Sequence, residues 1–73
     1  MPLVAILYKD LNLGDQFYDK EEPDVEVYYP FEKKAREIAL CLTDEHPRHG
    51  FRHLASFSEG QRVWVNIPME VSR

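Results

Sequence analysis

The sequence predicts an α+β domain of two layers, one helix packed on a small, mainly antiparallel sheet. Three observations carry this. A short apolar run stands near the start, a stripe at helical period follows in the middle, and two β-rich runs flank a glycine-bearing turn near the end. The expected order is β–loop–β–α–β–β in one domain spanning residues 1–73.

Residues 2–9 are apolar at both parities, with Leu3, Ala5 and Leu7 alternating with Val4, Ile6 and Tyr8. Such a run reads as a strand buried on both sides in a sheet centre. Residues 10–24 form the least regular stretch, punctuated by Gly14 and Pro23, with a short strand expected near 16–18. Residues 25–29, VEVYY, are rich in β-formers and set Val25, Val27 and Tyr29 on one face. Pro30 is placed to open a helix, where its missing N–H has no partner to lose. Residues 31–43 then carry Phe31, Ala35, Ile38, Ala39 and Leu42 on one stripe, with Glu32–Arg36 and Lys33–Glu37 pairs one turn apart. Pro47 and Gly50 stop it. Residues 50–68 read as a β-hairpin turning at 58–61, in one of two registers. A loop of 59–60 would pair Ser56 with Val63 and Leu54 with Val65, and the preferred loop of 59–61 sets Phe51, Ala55, Phe57, Val63, Val65 and Ile67 facing the helix. Arg62 and Trp64 face the other way.

A 73-residue chain buries only about 60% of its unfolded surface, so its core is thin. Cys41 is the one cysteine, which excludes an intramolecular disulfide framework. The opening apolar run is too short for a membrane span and follows no basic residue. A cytoplasmic location is expected, in a cell or in an infected host.

The net charge is −4 and unevenly spread. Residues 1–26 hold seven acids and two lysines, a formal −5, whereas the rest of the chain stands at +1. Asp15, Asp19, Glu21, Glu22, Asp24 and Glu26 crowd into twelve residues. Charges this dense favour a solvated segment that either keeps the chain soluble or docks on a basic protein surface. Trp64 beside Arg62 on an open sheet face has the composition of an interface anchor. The alternative is that Trp64 packs beneath the 10–24 loop.

Two other chemistries are readable. Cys41, His46, His49 and His53 have zinc-capable side chains, though not at a finger spacing. With Arg48, Arg52, Lys33, Lys34, Arg36 and Arg62, the histidines also suggest a basic patch for nucleic acid, which the acidic first third opposes. No serine-hydrolase, metalloprotease or phosphate-loop motif is present, so catalysis, and with it any cofactor, is not expected.

In layout the chain resembles the small phage-encoded proteins that inhibit host defence, of the anti-CRISPR type. Like them it is short, with clustered surface acids and no catalytic motif. The resemblance implies occlusion of a nucleic-acid-binding surface on a defence complex. The expectation is therefore a non-enzymatic protein-binding domain and inhibitor. It would engage a partner with a basic surface through Asp15, Asp19, Glu21, Glu22, Asp24, Glu26, Arg62 and Trp64. A homodimer through an open face or a free edge would be equally compatible.

Overall fold

The computed structural model describes residues 3–66 as one antiparallel sheet and one core. Its strands are β1 (Leu3–Leu7), β2 (Gln16–Asp19), β3 (Tyr29–Ala35), β4 (Ile38–Cys41), β5 (Leu54–Ser56) and β6 (Arg62–Asn66). Their spatial order is β1-β6-β2-β3-β4-β5. A 3-10 turn at Tyr8–Asp10 is the only helical element among the described residues, so the expected two-layer α+β architecture does not hold.

The segment read as a helix is the β3–β4 hairpin, with Arg36 and Glu37 at its turn. Phe31 and Ala39 point inward on both readings, whereas Cys41, off the expected stripe, is buried and Ala35, on it, is exposed. Lys33 decides between them. As an inward strand residue it is buried, and its Nζ donates to the carbonyls of Tyr8 at 3.2 Å and Leu11 at 2.7 Å. It also lies 4.6 Å from the centre of the Tyr8 ring. A helix would turn Lys33 to solvent and leave the Leu11 carbonyl without its donor, that of Tyr8 keeping the N–H of Leu11. The expected pairs one helical turn apart are replaced as well. Glu32 bonds Lys34, its neighbour on the same strand face, and Arg36 reaches Glu59. Pro30 opens no helix and sits inside β3 opposite Tyr18.

The final hairpin is likewise corrected. Its two strands exist with the expected inward faces, because Ala55, Phe57, Val63 and Val65 are buried. They do not pair with each other. β5 pairs with β4, and β6 runs between β1 and β2. Phe51 is exposed, and Ile67 lies outside the described residues. Among the described residues β1 is an edge strand bonded to β6 alone rather than a central one.

Without a helix to cover it, the sheet buries its inner face by curling. β1 and β5 stand at opposite ends of the strand order, yet Tyr8 stacks on Phe57 at 5.2 Å. Phe57 also meets Phe17 and Phe31 edge-on, at 5.2 and 5.1 Å. These four rings bridge the sheet's two ends, in geometries that aromatic quadrupoles favour. The Tyr8 hydroxyl lies 2.9 Å from the carbonyls of both Ala35 and Ile38, so the ring's polar end is satisfied. The shared centre is what lets a chain this short enclose a core.

Candidate functional site

The curled sheet leaves residues 20–28, between β2 and β3, to cross its outer surface. Lys20 fastens them. Its side chain is only 8% exposed, and its Nζ bonds the carbonyl of Pro23 at 3.0 Å and Glu26 at 3.2 Å. The same ammonium lies 5.4 Å from the Tyr28 ring centre and 5.7 Å from that of Trp64. Tyr28 meets Trp64 edge-on at 5.8 Å. Trp64 thus sits half-buried against this crossing segment of its own chain, with Lys20 from the 10–24 loop and Tyr28 from beyond it. Arg62 is exposed two residues before it, on the same outer face.

The acidic cluster disperses into separate tasks. Asp15 accepts the backbone N–H of Asn12. Asp19 is buried at the end of β2, where desolvation, and secondarily Glu21, push its pKa up to about 6. Glu26 accepts the Tyr28 hydroxyl at 2.8 Å, a bond that lowers the carboxyl pKa together with the charge of Lys20. Glu21 binds Arg48 through both oxygens, at 2.8 and 2.9 Å, and these bonds are the main reason its pKa is depressed. Glu22 and Asp24 remain exposed, with no partner among the described residues.

His46 completes a clamp around Glu21 that the sequence did not reveal. Its Nδ1 accepts the backbone N–H groups of Arg48 at 3.0 Å and His49 at 3.2 Å. That fixes the neutral tautomer with the proton on Nε2. Nε2 lies 3.2 Å from Glu21 Oε2, within ion-pair range but off the line of a good hydrogen bond. The imidazole is fully enclosed, and burial is the chief cause that lowers its pKa. The clamp joins residues 27 apart, and no local spacing announces such a pair.

Asp19, Glu21 and His46 present ligand atoms within 4.8 Å of one another, the types a divalent cation takes. The tautomer argues against that use. A metal on Nε2 would move the proton to Nδ1, directly against two inward-pointing N–H groups. Both Glu21 oxygens are also committed to Arg48. Among the described residues Cys41, His46, His49 and His53 do not form a common ligand group. Cys41 is buried, with its thiol 3.2 Å from the carbonyl of Thr43.

Beside the clamp lies a groove of about 200 Å³, lined by Glu21, Glu22, Val25, Val27, Tyr29 and Pro47. Val25 and Val27 are 41% and 44% exposed there. A second depression of about 300 Å³ is lined by Glu37, Ile38, Ser56, Phe57, Ser58 and Gln61. It holds two serines but no histidine, lysine or cysteine to activate them. The basic residues are largely engaged: Lys33 is buried, Lys34 pairs with Glu32, Arg36 with Glu59, and Arg48 with Glu21. Among the described residues no helix is long and apolar enough to cross a membrane. No family model matches the chain, and no curated protein or solved structure matches it.

Proposed function

We propose that this chain is a non-enzymatic protein-binding domain whose binding face is the groove between residues 21–29 and Pro47. The observation that carries this reading is the pair of half-exposed valines, Val25 and Val27, with Glu22 in the same lining and Asp24 next to Val25 in the chain, both carboxylates without a partner among the described residues. Apolar side chains left in water beside a groove favour a contact that covers them. Free acids at its rim select a partner with a basic surface and speed its approach. A face of this kind would occlude a basic, nucleic-acid-binding surface of its partner, the use implied by the resemblance to phage defence inhibitors. The clamp supports the reading physically, because Glu21, Arg48 and His46 hold the groove's two walls together before any partner arrives.

The test compares immobilised wild-type protein with a Val25→Lys/Val27→Lys variant in capture from lysate, with retained proteins identified by mass spectrometry. The expected result is a defined basic protein held by the wild type and lost by the variant. Equal retention by both would remove the groove from the function.

A further inference from the structure

The groove reading can be taken further, to how a partner is held. Residues 25–28 have the sequence of a strand and the side-chain geometry of one, but no strand beside them. Val25, Val27 and Tyr29 line the groove on one side. Glu26 turns the other way to Lys20 and bonds Tyr28, which in turn meets Trp64. That alternation has the two-residue period of β structure. The ladder with β2 ends at the Asp19–Tyr29 pair, and that with β4 ends at Phe31–Cys41. One more bond, from the N–H of Leu42 to the carbonyl of Pro30, closes the β4 side. Beyond it, among the described residues, no hydrogen bond engages the main chain of Glu26, Val27 or Tyr28. Val25 donates its own N–H to the carbonyl of Glu22 at 3.2 Å, so the free stretch is Glu26, Val27 and Tyr28, and β-formers with free backbone donors and acceptors are a template for an added strand.

We propose that residues 25–28 receive an extended segment of a partner protein as an added β-strand, one that alternates aliphatic with basic side chains. This rests on the groove reading and specifies its mode. The partner's main chain would bond that of residues 26–28, running alongside Val25. Its aliphatic side chains would enter the groove between Val25, Val27 and Pro47, whose volume suits one or two of them. Its basic side chains would meet Glu22 and Asp24, since Glu21 is already neutralised by Arg48. A second copy of this chain fits poorly. Residues 21–29 contain no basic residue that could meet Glu22 and Asp24 of the other copy, and two such acidic segments laid side by side repel.

The test is a titration of isotopically labelled full-length protein with an end-capped hexapeptide alternating lysine and isoleucine, followed by amide NMR. Expected are shifts centred on Val25, Glu26, Val27 and Tyr28. Affinity should weaken at least tenfold when alternate peptide nitrogens are methylated. A Glu22→Lys/Asp24→Lys variant should lose tenfold for this peptide and gain for its glutamate–isoleucine counterpart. Both residues are exposed, and an otherwise unchanged spectrum confirms that the variant folds. If the methylated peptide binds as well as the parent, strand addition is wrong while the groove remains a binding face. No response of residues 25–28 to either peptide overturns the proposal, and failure of the valine variant to alter lysate capture as well sinks the groove reading itself. Self-association through residues 25–28, seen by sedimentation, would also overturn it.

Discussion

Replacing Asp19 by asparagine should make the protein more stable at neutral pH and leave it nearly unchanged in acid. Asp19 is 7% exposed, and its pKa stands at about 6 against 3.8 for a free side chain. Burial dominates the shift, and Glu21 adds to it. The folded chain therefore holds this proton more tightly than the unfolded one. The stability linked to Asp19 is complete below the unfolded value and is lost as pH rises through about 6. The difference, valued at 1.36 kcal/mol per unit, corresponds to about 3 kcal/mol of destabilisation once the carboxylate is charged. Asparagine avoids that cost but keeps an oxygen for Gln61, whose amide lies 3.5 Å from Asp19. Urea unfolding of both proteins from pH 4 to 8 measures the effect. The curves should converge near pH 4 and separate by ~2–3 kcal/mol by pH 7.5. Parallel curves, or an Asp19 carboxyl that titrates near 4 by carbon-detected NMR, would refute the reasoning.

Three further outcomes are expected. His46 should titrate below the usual histidine range, and the folded state, which needs it neutral, should lose stability as pH falls through the unfolded value of 6.5; nitrogen-detected NMR should find its proton on Nε2, and a proton on Nδ1 would contradict the clamp. Lys33→Met should cost roughly 1–3 kcal/mol in urea unfolding, because it leaves the carbonyl of Leu11 without its donor and that of Tyr8 with the Leu11 N–H alone. Phe57→Ala removes the ring shared by Tyr8, Phe17 and Phe31 and should cost about 3–5 kcal/mol, comparable to the whole stability of so small a domain; a cooperative thermal transition retained within a few degrees would show that the ring cluster does not hold the sheet closed.

Inward-facing residues were largely legible from the sequence, whereas their partners were not. Ala55, Phe57, Val63 and Val65 are buried as expected, because alternation fixes which face a residue occupies, while Phe31 and Ala39 are buried although the helical period that pointed to them does not hold. Local pattern does not say which strand lies alongside, so β5 and β6 read as one hairpin although they end at distant places in the sheet. The helix over 31–43 failed for a related reason. Good helix formers and pairs one turn apart argue locally, but Lys33 gains two carbonyl partners and the Tyr8 ring only as a strand residue. Tertiary context overrode propensity there. The acidic cluster was visible as composition, yet its division of labour depended on Lys20 within it and on Arg48 and His46, which fold onto it from elsewhere. Val25 and Val27 were read as strand residues, and the missing strand beside them is what makes that reading informative.

The stacking of Trp64, Lys20 and Tyr28 has an optical consequence. Trp64 is the chain's sole tryptophan, so the emission of the whole protein reports on one spot. That spot lies on the reverse side of the segment whose valines face the groove, and the nearby ammonium makes indole emission sensitive to small displacements. Any occupant that pulls residues 25–28 into register should therefore change the intensity and wavelength of the native fluorescence, without a label. The residue first suspected of gripping a partner would serve as the gauge of a partner gripped elsewhere.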